Sequence, residues 1–107
     1  MMNDPMILEA ARVLSTRLSE KFTQSDQAIG EAFKRIVCRE LKMEEKKLLQ
    51  NYYDTELKHF QTNPKDAAAI LDVGEYPMQS SAITPQNAAL MQVIISLYNL
   101  EETITKS

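Results

Sequence analysis

Thr84-Pro85-Gln86-Asn87-Ala88-Ala89-Leu90-Met91-Gln92-Val93-Ile94-Ile95-Ser96-Leu97-Tyr98-Asn99-Leu100 is the stretch that decides the fold. No charged residue lies between Glu75 and Glu101, although a quarter of the whole sequence is Asp, Glu, Lys or Arg. Threonine caps a helix N-terminus through its hydroxyl, and proline is pre-set for the first helical position. Thr84-Pro85 therefore opens a helix, and Gln86 to Leu100 continues it with apolar side chains almost all round the axis. Only Gln92, Ser96 and Asn99 interrupt, and their i, i+4, i+7 spacing places them on one narrow stripe. Such a helix is buried by its neighbours. From Ala88 to Leu100 it offers about thirteen apolar-rich residues where a bilayer needs roughly 20, so it reads as a core helix and not a membrane span.

The rest of the chain supplies the neighbours. Asn3 or Asp4 caps a first helix with Pro5 just inside it, running to about Lys21. Ile7, Ala11, Leu14, Leu18 and Phe22 recur at the spacing of a buried face, while Glu9, Arg12, Thr16 and Glu20 fall on the other side. After the polar break Thr23-Gln24-Ser25-Asp26, Ser25 reads as the cap of a second helix, with Asp26 at its positive end. Ile29, Ala32, Phe33, Ile36 and Val37 form its inner face. Gly30 weakens that helix by up to about 1 kcal/mol against alanine, a cost that close packing would explain.

Arg39-Glu40-Leu41-Lys42 joins it to a third helix from about Met43 to Gln61. Leu49, Tyr52, Tyr53, Glu56, Leu57 and Phe60 mark the seam of that helix, and Glu44, Glu45, Lys46 and Lys47 begin its solvated face. Asn63-Pro64 repeats the cap-then-proline signal for a short fourth helix through Asp66, Ala68, Ile70 and Leu71. Gly74 suits its stop, where a positive φ is needed. Glu75 to Ile83 is loop-like, with Pro77 and the Ser80-Ser81 pair, and the tail from Glu101 adds one turn anchored by Ile104 before fraying. The fold class is all-α: a bundle of four main helices plus one short one, with the apolar C-terminal helix at the centre.

Composition narrows the function classes without choosing one. At 107 residues the chain is large enough for one core and too small for two. An apolar fraction of 44% with 25% charged is ordinary for a globular domain. A net charge of −3 and a pI of about 5.1 make nucleic acid and anionic membrane poor default partners. The one basic cluster, Lys34, Arg35, Arg39, Lys42, Lys46 and Lys47, is diluted by Glu31, Glu40, Glu44 and Glu45, and reads as a solvated corner. Two glycines cannot build a phosphate-cradling loop.

Catalytic and metal-binding patterns are sparse. Glu56-Leu57-Lys58-His59 puts a carboxylate and an imidazole on one helix face, as in di-iron bundles, but those sites need a second such pair. The chain has one histidine, so His59 is expected beside the seam, facing solvent. Cys38, the one cysteine, forms no internal disulfide and has no cysteine partner for covalent c-type haem. Without an activating base nearby in sequence, it is expected to be a small buried thiol. The stripe Gln92, Ser96, Asn99 is expected to form a buried polar network, joined by hydroxyls of Tyr52, Tyr53 and Tyr98. No catalytic, cofactor-binding or metal-ligating residue is assigned from these patterns.

The ordered set Met2-Asn3-Asp4-Pro5, Glu9-Ala10-Ala11-Arg12, Arg17-Leu18, Ala32-Phe33, Arg39, Glu45, Asn63-Pro64, Ala68 and Gly74-Glu75 closes on Asn99-Leu100-Glu101-Glu102 and Ile104-Thr105-Lys106. Together these resemble the C-terminal part of the planctomycete-type family called domain of unknown function 1553. There an asparagine-aspartate-proline step precedes an "EAAR"-like helix, and the domain ends on a segment like Asn-Leu-Asp-Glu-Phe. The likeness covers nearly the whole chain, and its specificity lies in the order and spacing of short motifs.

The resemblance implies the end of a longer exported bacterial protein, periplasmic or at the cell surface, with a cytochrome c-like domain upstream. Any c-type haem would belong to that upstream part. It also implies that residues preceding Met1 belong to the same protein and that the signal sequence lies there. The family carries no established reaction, and no catalytic residue transfers from it. Two departures stand out: Cys38 occupies a position where glycine is usual before Arg39, and Glu40-Leu41-Lys42 replaces a proline-containing turn ending in a Ser or Thr cap.

The leading expectation is thus a non-catalytic structural or interaction module whose partners are the upstream domains or another protein. One alternative is a segment completing the active site of a larger redox or polysaccharide-directed enzyme. The other, if the resemblance fails, is a cytoplasmic helical adaptor.

Overall fold

The computed structural model describes residues 5–71 and 84–106, with side chains from 6 to 71 and from 84 to 99. Among the described residues five helices follow one another: α1 (Pro5–Lys21), α2 (Ser25–Val37), α3 (Met43–Thr62), α4 (Pro64–Leu71) and α5 (Pro85–Lys106). The described residues contain no strand, and the all-α bundle is the observed architecture. The expected caps at Asn3 and Asp4, the stop at Gly74 and the loop from Glu75 to Ile83 lie outside the described residues.

The helix that decides the fold is where its composition puts it. All four other helices pack against α5. Ala88, Ala89, Leu90, Met91, Val93, Ile94 and Leu97 are buried, whereas Gln92, Ile95, Ser96, Tyr98 and Asn99 are half-buried. The polar stripe therefore faces the thinner side of the surrounding layer. Its start is fixed as expected: the Asn87 backbone N–H donates to Thr84 Oγ1 at 3.0 Å, with Pro85 as the first helical residue. At the other end α5 continues without a break to Lys106, so the tail extends the helix by more than the single turn expected.

Two faces are placed differently from the apolar pattern. On α1 the buried residues are Ala11, Arg12, Ser15 and Leu18, with Leu8, Leu14 and Phe22 packed beside them. Arg12 is 4% exposed, not solvated, and Ile7 is only half-buried. The inward stripe thus runs through two polar positions that hydrophobicity alone assigns to solvent. They are admitted because they are bonded. Arg12 Nη2 donates to Glu9 Oε1 at 3.0 Å, and Ser15 Oγ donates to the Arg12 carbonyl at 2.9 Å. On α3 the seam is Leu49, Tyr53, Leu57 and Phe60, while Tyr52 is 37% exposed and lies outside it.

The helix ends also differ from the expected capping. Ser25 is the first helical residue of α2; the N-cap is Gln24, which is extended and makes no side-chain capping bond. The Ser25 hydroxyl instead accepts from Gln50 Nε2 at 3.1 Å, tying α2 to α3. Asn63 does not cap α4 with its side chain. Its Nδ2 donates back to the His59 carbonyl at 3.2 Å, finishing α3, and Pro64 then begins α4.

Cys38 ends α2 in the left-handed conformation, φ 64° and ψ 33°, with its N–H donating to the Lys34 carbonyl. Glycine is the usual occupant of that conformation because it has no Cβ to clash with the following carbonyl. Gly30, in contrast, has no neighbour within 4 Å of where a Cβ would stand. The close packing expected there is absent.

Candidate functional site

Where α1 ends, α2 begins and α5 begins, the bundle leaves a cleft of about 450 Å³. The end of α1 supplies Thr16, Ser19 and Glu20, and the connecting turn supplies Phe22, Thr23 and Gln24. Ser25 and Ala28 come from α2, Tyr53 from α3, and Thr84, Gln86, Asn87 and Leu90 from the start of α5.

A hydrogen-bonded chain fixes one wall. Asn87, only 2% exposed, donates from Nδ2 to Thr16 Oγ1 at 3.2 Å, and Thr16 Oγ1 donates to the Arg12 carbonyl at 2.9 Å. With the Thr84 cap, this links the first turn of α5 to the fourth turn of α1. The opposite wall is fixed by Gln50, which donates to both Ser25 Oγ and Asp54 Oδ1, each at 3.1 Å. Burial pushes the Tyr53 phenol above its ordinary range, and the adjacent Asp54 carboxylate adds to the shift.

Among the described residues this wall is a buried polar network, built from residues other than the Gln92, Ser96 and Asn99 stripe expected on α5. Ser96 donates only to the Gln92 carbonyl of its own helix, at 3.2 Å. Arg12, Ser15 and Asn87 were the residues that sequence reasoning missed. No local signal marks Asn87, since an asparagine three residues after a capping threonine is equally at home in solvent. Its partner Thr16 lies far away in the chain, so only the docking of α1 on α5 reveals the pair.

The other singled-out residues stay apart from the cleft. Cys38 is exposed, which corrects the expectation of a buried thiol: the left-handed cap turns it off the end of the apolar face. His59 is exposed beside the seam, as expected; its Nε2 lies 3.1 Å from Asp66 Oδ2 and its ring meets Phe60 edge-on. The His59–Asp66 contact joins α3 to α4. Among the described residues, no group of three or more His, Cys, Asp or Glu is placed to hold a metal ion.

The basic corner is solvated and partly neutralised. Arg35 pairs with Glu31 at 2.8 Å, and this bond holds the Glu31 carboxyl below its usual range. Arg39 forks onto Glu45 through Nη1 and Nη2 at 2.8 and 2.5 Å. No described helix is long and apolar enough to cross a membrane. No family model, curated protein or solved structure matches this chain.

Proposed function

We propose that this chain is a non-catalytic helical module of a longer exported protein that carries a cytochrome c-like domain upstream. Its task is to pack against those domains or against a partner protein. The observation that carries the reading is the exposed apolar flank of α3. Leu48 is 71% exposed and Tyr52 lies one turn further on, with Met43, 74% exposed, at the start of the same helix. Leu48 and Tyr52 lie beside the seam, where a neighbouring domain could continue the core outward.

The left-handed backbone at Cys38 supports the family resemblance. It sits at the position where the resembling family carries glycine, the residue this conformation prefers. The enzymatic alternative needs convergent carboxylates with perturbed titration, and among the described residues the cleft wall holds one carboxylate, Glu20.

Two experiments test the reading. The complete reading frame should encode a signal peptide and a cysteine-pair-plus-histidine haem motif upstream; a frame with neither returns the chain to the cytoplasmic adaptor. Hydrogen exchange should then be slower at the surface of α3 in the full-length protein than in the isolated chain. Leu48→Glu with Tyr52→Ala should abolish that difference without changing the melting of the isolated chain. Equal exchange in both forms would remove the packing role.

A further inference from the structure

The cleft at the α1–α2 turn has a use that packing does not require. We infer that it is a binding site for a neutral, hydroxyl-rich small molecule of the saccharide class. The inference is independent of what covers Leu48 and Tyr52.

The first argument is the chemistry of the rim. Among the described residues, the side chains of Ser19, Glu20, Thr23, Gln24 and Gln86 form no hydrogen bond or ion pair within the chain, yet two stretches far apart in sequence bring them around one opening. Hydroxyl and amide groups each donate and accept, as sugar hydroxyls do, so one set satisfies the other without charge.

The second argument is charge. Among the described residues, no Lys, Arg or His lines the cleft, and Glu20 is the one carboxylate that does. An anionic ligand would meet this like charge, and the nearby Lys21 ammonium is turned onto the Phe22 ring, 5.4 Å from its centroid. The helix ends do not reverse this. Thr84 already caps α5, and Asp26 occupies the first turn of α2.

The third is shape. Phe22, Ala28, Tyr53 and Leu90 give the cleft an apolar floor suited to the C–H face of a pyranose ring. The volume of about 450 Å³ falls within the roughly 300–1,000 Å³ of small-molecule sites. The walls are held in advance by the Asn87–Thr16 and Gln50–Ser25 bonds, which limits the ordering cost of binding. A peptide fits less well. Among the described residues there is no strand edge for an extended segment to join, and the polar rim offers no row of apolar anchor pockets for a helix.

The test is a two-dimensional amide NMR titration of the whole chain with glucose, xylose, N-acetylglucosamine and cellobiose, taken to tens of millimolar. Glucuronate and inorganic phosphate serve as anionic controls. At least one neutral sugar should shift amides of residues 19–25 and 84–90 while those of α4 stay still. Gln24→Ala with Gln86→Ala, both at exposed positions, should weaken that binding roughly five- to thirtyfold with unchanged melting. The inference is overturned if no neutral sugar moves these amides, if the anions move them equally, or if the double variant binds as the parent does.

Discussion

Gly30 lies within α2 and Cys38 caps its end, and neither is the residue type that its backbone conformation favours. The left-handed conformation at Cys38 forces its Cβ toward the following carbonyl, at about 1–2 kcal/mol for an L-residue. Glycine there escapes the clash, though it gives back part of the gain through its more flexible unfolded chain. Cys38→Gly should therefore raise stability by about 0.5–1 kcal/mol, read from the urea midpoint. An unchanged or lower midpoint would show that the thiol contributes something offsetting the clash. At Gly30 the space for a methyl is open and the backbone is helical, so Gly30→Ala should also gain about 0.5–1 kcal/mol. A loss there would mean that the helix does close on a neighbour at that point.

At the scale of elements, the join between α2 and α3 shows how charged side chains replace a missing turn signal. Neither proline nor a Ser or Thr cap is present between Arg39 and Lys42. Glu45 takes over the capping: its carboxylate accepts the Lys42 backbone N–H at 3.0 Å and the Arg39 guanidinium in a fork. Arg39 in turn lies 4.9 Å over the ring of Phe33, so the connection is clasped to the core of α2. These contacts, the Arg39 bond foremost and the Lys42 N–H second, draw the Glu45 carboxyl down to about 2. A carboxyl depressed on folding stabilises the fold above its unfolded value and loses that contribution as pH falls through the folded one. Melting temperature should consequently drop between about pH 4.5 and pH 2, and Glu45→Gln should flatten that part of the profile. A variant that keeps the parent's full slope would assign the acid sensitivity to other carboxylates.

The same scale explains which face of each helix could be read in advance. On α2 every inward residue is apolar, and Ile29, Ala32, Phe33 and Ile36 are buried as their spacing predicts. On α1 the inward stripe includes Arg12 and Ser15, so apolar periodicity points slightly to one side of the true face. Hydrophobic spacing locates a buried face only while that face is uniformly apolar. Once a polar residue is bonded within it, the period is broken at the residue that matters most.

For the whole molecule, α5 is the element on which all the others depend. Ile94 is fully buried at its middle, and a carboxylate placed there would have neither water nor a partner. Ile94→Asp should unfold the chain, seen as loss of helical circular dichroism and of dispersed amide signals. A soluble variant melting like the parent would show that α5 is not the centre of the core. The cleft belongs to this scale too. Thr16, Ser25 and Asn87 carry no motif, and each is an ordinary polar residue near a helix end. They become a site because α1, α2 and α5 bring their ends together at one corner of the bundle.

The uncharged run from Thr84 to Leu100 was enough to establish a central helix, its starting cap and an all-α class, because burial all round an axis leaves a mark on composition. The helix boundaries near Pro5, Lys21, Met43 and Pro64 were likewise readable from proline, capping residues and apolar spacing. Only tertiary packing decided that Arg12 and Asn87 are buried, that Cys38 is exposed in a left-handed cap, and that a polar cleft exists. Those outcomes rest on hydrogen bonds and backbone angles set by neighbouring helices, and such contacts leave no periodic trace in a single chain.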